Sequence, residues 1–595
     1  MLKEFLLQHN QWALLTVSSI CVALITVALD WAATWANDLK YGYCASNLLL
    51  VRESCPAGEW SSYSSHLPLR FMVCIFLTLG FSFISVRIAL QDSNIPQSGI
   101  GSLIKIITGT SNPEFLSTKV ILGKVISLIF AIASGALLIG YEGPLIHISS
   151  GILAISHSIF IRFSYFQNLS GQYKLRELLS IGFVIGISLA FGTPIGGLLF
   201  AVETLNATTS KFMWNGFVSA SVATFILVQI HPFRVVTVIE SFIVDGQNKW
   251  VGWESGPYLI VGLVVGFAGL AYDWIHKQIT NRREEFLCKF LHFGEEKVKM
   301  FEVVSVSLIV GLLKYPLSFS SQTMVQLLLH LFDDCSSSTQ SLVCQATNET
   351  FDLIYFLPIL FIFSNYTYST NVPGGVLLPS LTIGAVIGRL LGLVTQFTIQ
   401  NWLDAPVTPG SYAAVGAAAM FAAVTNTSMS AIVIVFEMTG AVTYLVPLMA
   451  GVLIARCVND IIAGGEGFYS GSTQEGLLEK SLEDSMRLAK FGVMSVGEIV
   501  TSSNSSNDYS IEFASEGSTA SEGKILLNNR NSRELLSYGY QPASALHVVK
   551  TTLSLLVVYE IIDRLDTNIV FVEGVEGGFE GFLTKEMMIE LVKNV

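Results

Sequence analysis

Gly140-Tyr141-Glu142-Gly143-Pro144-Leu145-Ile146-His147 sets a carboxylate, flanked by glycine and proline, inside one of the most apolar stretches of the chain. An acid in hydrocarbon surroundings is costly, which marks Glu142 as a functional position; the plainer alternative is a structural carboxylate paired with a backbone amide. The context recurs. Pro144 precedes Glu203, in Gly192-Thr-Pro-Ile-Gly-Gly-Leu-Leu-Phe-Ala-Val-Glu203-Thr204, by 59 residues, and Pro379, in Gly374-Gly-Val-Leu-Leu-Pro379, precedes Glu437 by 58. Two halves sharing landmarks about 235 residues apart read as a duplicated membrane unit, the kind that builds transporters around a midplane site. The competing explanation is chance similarity between apolar helices rich in small residues.

The composition agrees with a membrane protein. Of 595 residues 51% are apolar and 13% charged, against roughly a quarter charged in soluble proteins. Apolar runs near 12–35, 69–90, 118–139, 178–191, 215–230, 256–275, 301–316, 352–364, 410–424 and 442–456 approach or reach the length needed to cross a hydrocarbon core of about 30 Å. Segments near 144–156, 194–204, 374–396 and 428–440 are interrupted by Gly, Pro, Ser or Thr. Irregular backbone survives at membrane depth only where protein or water covers it, so half-helices meeting inside the membrane are expected. The 49 glycines allow the close helix contacts that replace the hydrophobic effect in lipid.

The N-terminal Met1-Leu-Lys-Glu-Phe5 carries an acid and precedes a long apolar run, so a retained first span entering from the cytosol is expected rather than a cleaved signal. Lys277, Arg282 and Arg283 place the loop after 256–275 on the cytosolic side too. The loops holding Cys44 with Cys55, and Cys335 with Cys344, then fall on the opposite face, where two local disulfides and glycosylation of Asn348 in Asn348-Glu-Thr350 are expected. Cys21, Cys74, Cys288 and Cys457 read as reduced.

Hydropathy falls after about residue 476, and Thr501-Ser-Ser-Asn-Ser-Ser-Asn-Asp508 is a polar linker within a stretch near 501–522 expected to be disordered. From 491 to 595 there are 14 acidic and 7 basic residues, a net charge of −7, which argues against nucleic acid or anionic lipid as a partner of this tail. A helix over Leu553–Leu565, strands over Asn568–Glu573 and Gly578–Leu583 and a terminal helix from Thr584 are expected. That order resembles the second half of a CBS-domain pair, a module that can bind adenine nucleotides between its repeats; only Val493–Val500 and Lys524–Leu527 resemble the first half, which speaks against bound nucleotide. The expected organisation is therefore a transport domain over 1–484, with repeated halves at about 68–230 and 255–457, and a small acidic cytosolic α/β CBS-like domain over 485–595.

The three signatures together resemble the CLC family of chloride channels and chloride/proton exchangers. Gly140-Tyr-Glu142-Gly-Pro-Leu-Ile-His147, Phe191-Gly-Thr-Pro-Ile-Gly-Gly-Leu-Leu-Phe-Ala-Val-Glu203 and Gly375-Val-Leu-Leu-Pro379 stand in the family's order and spacing. The resemblance implies an all-α polytopic membrane protein with an inverted-repeat fold of broken and re-entrant helices. It also implies a homodimer with one pore per subunit, no enzymatic activity, and chloride and protons as cargo rather than cofactors. Glu142 becomes the gating glutamate. Ser98, in Gln97-Ser98-Gly99-Ile100-Gly101, supplies a hydroxyl to the central anion, the amides of Val376 and Leu377 complete that site, and Tyr469 offers a phenol from the cytosolic side. The plainer roles are a helix cap for Ser98 and an interfacial belt position for Tyr469.

Departures carry information. Gln97 and Gly101 replace the usual Gly and Pro around Ser98, and Leu377 replaces the usual Phe of the third signature; serine at 98, where nitrate-preferring members have proline, points to chloride. Thr204 stands where many exchangers have a second glutamate that collects cytosolic protons, whereas Glu203 reads as structural. The leading expectation is a chloride/proton antiporter gated by Glu142, and the alternative is a passive voltage- or pH-gated chloride channel. A non-transporting scaffold or intramembrane enzyme is a distant third, as no metal-ligand cluster or nucleophile–base pair is visible in the sequence. The form of the first signature favours an endosomal or vacuolar membrane over the plasma membrane.

Overall fold

In the computed structural model the chain divides into two units, residues 1–473 and 474–595, a boundary somewhat before the expected one at 484. The structure describes residues 2–468, except 57, 97, 109–112, 163–171, 206–208, 231–249, 251, 291–293, 334–348, 404–406, 441 and 466, and beyond 468 six strands. Tyr469, Cys335, Cys344 and Asn348 therefore lie outside the described residues, as do the expected helices at 553–565 and from 584.

Unit one is helical. Its first half contains α1 (Leu2–Asp38), α2 (Leu67–Ala89), α3 (Ile100–Thr108), α4 (Thr118–Ser134), α5 (Glu142–Phe160), α6 (Gln172–Phe191), α7 (Pro194–Leu205) and α8 (Ser210–Ile230). The second contains α9 (Ser255–Phe290), α10 (Glu295–Lys314), α11 (Met324–Phe332), α12 (Glu349–Ser369), α13 (Leu377–Leu403), α14 (Pro409–Thr425), α15 (Met429–Thr439) and α16 (Leu445–Ala463). Among the described residues, eight helical segments are long and apolar enough to cross a membrane. This is a multi-pass membrane protein.

The interruptions fall at helix starts. The segment expected to be broken over 374–396 is a continuous helix from Leu377 to Leu403, and the irregular backbone comes before it, at Pro373-Gly374-Gly375; Pro379 falls in the first turn, where proline is tolerated, and Gly384, Gly388 and Gly392 are held helical by close packing against α14. The cations expected in a loop after 275 also sit in a helix, since α9 continues to Phe290. Gly440 ends α15 in the left-handed conformation, with φ 65°.

Helices approach closely where they carry glycine. A Cβ at Gly384 or Gly388 of α13 would collide with the backbone of α14, and one at Gly182 or Gly186 of α6 with that of α5. Every residue of α14 from Gly410 to Thr425 is buried, so this helix forms the centre of the unit.

A buried ion pair ties three helices of the second half together. Arg283 of α9 grips Glu302 of α10 with two bonds, Nε to Oε1 at 2.7 Å and a terminal nitrogen to Oε2 at 3.0 Å. The same terminal nitrogen donates to Asn371 Oδ1 at 3.0 Å, and Tyr366 of α12 donates to Glu302 at 3.0 Å. Removing one member leaves the other charge buried and unpaired, so Glu302→Ala is expected to cost about 3–5 kcal/mol. Thermal unfolding of the purified protein checks this, and an unchanged midpoint would contradict it.

On the loop after α1, Cys44 and Cys55 are joined in a disulfide with Cα atoms 5.9 Å apart, and Cys44 also pairs through β1 (Tyr43–Cys44) with β2 (Trp60–Ser61). Cys21, Cys74 and Cys457 are free.

Unit two holds two sheets. β3 (Ser510–Phe513), β4 (Ile525–Asn529) and β5 (Ser532–Leu536) form an antiparallel meander. β3 lies inside the stretch expected to be disordered; Ser510-Ile-Glu-Phe513 alternates polar and apolar residues with period two, which suits a strand despite its polar neighbours. β6 (Val548–Lys550) pairs parallel with β7 (Ile569–Glu573), which pairs antiparallel with β8 (Phe579–Thr584).

Candidate ion-pathway site

The two halves meet head to head at glycine. Gly140 N donates to Gly375 O at 2.9 Å and Gly375 N to Gly140 O at 2.7 Å, a reciprocal antiparallel bridge between positions at the repeat offset. Glycine on both strands of this bridge leaves room for the Glu142 carboxylate in this position, since a Cβ at either would run into it.

Glu142 is the first residue of α5 and is 1% exposed. Its carboxylate reaches across the bridge to the partner helix. Oε1 accepts from Leu377 N at 2.6 Å and Leu378 N at 3.1 Å, the free N–H groups that open α13, where the helix dipole favours negative charge. Oε2 is buried without a partner. The carboxylate thus rests through one oxygen on two neutral donors, and its other oxygen makes no hydrogen bond. Val376 is buried one residue earlier; the second amide on the carboxylate belongs to Leu378, which sequence reasoning did not single out.

Ser98 lies under the start of α5. A Cβ at Gly143 would stand 2.9 Å from Ser98 Cβ, and one at Gly99, whose φ is +93°, 2.8 Å from His147 Cβ, so glycines press the Ser98 loop against the helix that carries Glu142. His147 is a packing residue in this arrangement. Its ring stacks on Phe115 at 3.7 Å and Nε2 bonds Phe115 O at 2.8 Å.

Tyr368, at the end of α12, donates to Ser98 Oγ at 3.4 Å. It packs against Phe468 and His276, with ring centroids 5.3 and 5.4 Å away. These residues line a cavity of about 820 Å³ that is also lined by Lys105, Lys299 and Glu295. Sequence reasoning missed Tyr368; its one signal was an aromatic hydroxyl five residues before Pro373, where the chain leaves a helix for the glycine bridge.

Thr204 and Glu203 separate in role. Glu203 caps α15, with Oε1 accepting from Met429 N at 2.9 Å and Oε2 from Ser430 N at 3.2 Å and Ser430 Oγ at 2.6 Å. Glu437 does the same for α7, accepting from Gly196 N at 2.8 Å and Ile195 N at 3.2 Å. Each glutamate ends one helix and caps the other, so α7 and α15 run antiparallel, as an inverted repeat requires. Thr204 Oγ1 is buried without a hydrogen-bond partner. Among the described residues no group of His, Cys, Asp and Glu could hold a metal ion.

Residues 77–460 match the family model described as "Voltage gated chloride channel". The chain belongs to this family. Curated members it resembles include the "H(+)/Cl(-) exchange transporter 3" of Homo sapiens, 29% identical over 77% of this chain and 61% of the relative. Another is the "H(+)/Cl(-) exchange transporter 5" of Cavia porcellus, 27% identical over 77% of this chain and 67% of the relative. The chain thus spans 61% of the length of the first of these relatives. Among solved structures, a eukaryotic CLC transporter aligns with TM-score 0.60 and 21% identity over 98% of both chains. A slow cyanobacterial Cl−/H+ antiporter aligns with TM-score 0.59 and 16% identity over 80% of this chain and 98% of its own. These likenesses establish the fold.

Proposed function

We propose that this protein exchanges chloride for protons across a membrane, with Glu142 as the moving gate. The observation that carries the reading is the Glu142 carboxylate held on the Leu377 and Leu378 amides at the start of α13. A charged carboxylate accepts stronger bonds from N–H groups than a neutral acid does, so protonation weakens this hold. The neutral side chain then leaves, a chloride takes its place on the same amides, and the proton travels with the side chain. Deprotonation restores the competitor. Because all donors are neutral, the anion binds without being trapped. The exchange transporters named above support this direction.

Chloride arrives from the large cavity, where Ser98 and Tyr368 meet it, and the backbone at Val376 and the phenol of Tyr469 complete its surroundings. Two subunits, each with its own pore, assemble in an endosomal or vacuolar membrane. In unit two, the parallel β6–β7 pair with antiparallel β8 fits one CBS-like repeat, whereas the β3–β5 meander does not supply a second. That arrangement argues against an adenine nucleotide held between repeats.

Thr204 favours a second reading, a passive chloride channel, because its hydroxyl replaces an ionisable acid. The reversal potential of the purified protein in a planar bilayer separates the two. Under a fixed chloride gradient, adding a pH gradient is expected to shift the reversal potential; a value that follows chloride alone would make this a channel, and absence of chloride current would remove both.

A further inference from the structure

We propose that Lys40 and Lys314 form a second site, distinct from the Glu142 pathway, that binds a single halide-sized anion. Lys40, in the turn after α1, is 3% exposed, and Lys314, the last residue of α10, is 8% exposed. Both line one small cavity of about 20 Å³, together with Tyr41, Cys74 and Ser134. That volume admits one water-sized particle. No carboxylate lines it.

The lysines approach the same helix end. Lys40 Nζ donates to Ser134 O at 2.7 Å, and Lys314 Nζ donates to Gly135 O at 3.3 Å and Gln322 O at 3.2 Å. Gly135, with φ +62°, is what lets Lys40 in, since a Cβ there would stand 2.6 Å from Nζ. An ammonium carries three donors, so these bonds leave two on Lys40 and one on Lys314. The cavity is where they have room to point.

Charge balance decides what fills it. The two ammoniums are close enough to repel. The carbonyl end of α4 offsets only a small part of the cost of burying two cations. Asp38, the acid that acts on Lys40, has Oδ2 engaged by Arg52 N at 2.8 Å, and the Tyr41 hydroxyl is committed to Ser320 O at 2.9 Å. Burial holds Lys40 down to about 7, so below that pH the pair carries two positive charges, and a monoatomic anion between the two nitrogens offsets one of them and relieves their repulsion while using their free donors. A bound anion would brace the carbonyls of Ser134 and Gly135, which open the connection leading to Glu142.

Crystals of the full chain grown in bromide, in buffer more acidic than the Lys40 midpoint, test this by anomalous scattering. A bromide peak is expected between Lys40 and Lys314, and it should disappear in Lys314→Met while any peak beside Ser98 persists. Wild-type density that is water alone, with halide present beside Ser98, overturns the site and leaves the two lysines as helix caps. A peak that survives Lys314→Met overturns it as well. None of these outcomes depends on whether the protein is an exchanger or a channel.

Discussion

Replacing Glu142 by alanine is expected to abolish chloride-driven proton movement, by about 100-fold or more for a positioned proton carrier, while chloride flux persists. The substitution leaves the Leu377 and Leu378 amides without their internal anion, and the reciprocal Gly140–Gly375 bridge, which is backbone to backbone, stays in place. Chloride then meets an open site with two unoccupied donors. Glu142→Gln sharpens the test because it keeps the volume and an acceptor oxygen while removing the negative charge; it should mimic the protonated acid and also lose proton movement. Both are read by vesicle flux, with chloride followed by electrode and pH followed outside the vesicles. Proton transport surviving in both variants would remove Glu142 from the proton route. Loss of chloride flux in both would mean that the carboxylate shapes the site instead of competing for it.

The repeat was legible because its landmarks are chemical. Pro144 and Pro379, and Glu203 and Glu437, recur at nearly equal spacing, and the structure uses the second pair as reciprocal caps. Glu142 was legible as a buried acid among glycines. Of the backbone groups that receive it, the Leu377 amide was named only through the family resemblance and the Leu378 amide not at all: a carboxylate at the start of α5 reads locally as serving its own helix, and the head-to-head meeting of α5 with α13 is what brings it to both. Tyr368 was hidden for a related reason, since its value comes from Ser98, 270 residues away. The buried lysines were equally opaque. Lys314 looks like an ordinary cation at a helix end until the turn after α1 brings Lys40 beside it. Helix starts were misplaced by a few residues around 374–377 because hydropathy measures apolarity, not where the backbone becomes regular.

Local symmetry also breaks where transport is proposed. At the repeat offset, Glu142 corresponds to Leu377, so the bridge places an acid on one side and an apolar residue on the other. The acid takes the amide of its own counterpart. A symmetric pair of acids would put two like charges at one bridge, whereas a single carboxylate leaves one competitor for one anion site.

Glu203→Ala is expected to destabilise the fold by about 3 kcal/mol, within the range for losing bonds to an ionised acceptor, without changing how ions are coupled in the protein that remains folded. Four donors lose their acceptor at once, the Ser428, Met429 and Ser430 amides and the Ser430 hydroxyl, and the start of α15 loses the negative charge that opposes its dipole. Glu437→Ala removes two amide bonds from α7 and should cost less, about 2 kcal/mol. The two caps bind the same antiparallel helix pair, so the double variant should depart from additivity. Thermal unfolding of the purified proteins measures all three. The discriminating result is a Glu203→Ala protein of unchanged stability that has lost proton movement, which would place Glu203 on the proton path beside Thr204 and give the cytosolic route the acid that Thr204 lacks.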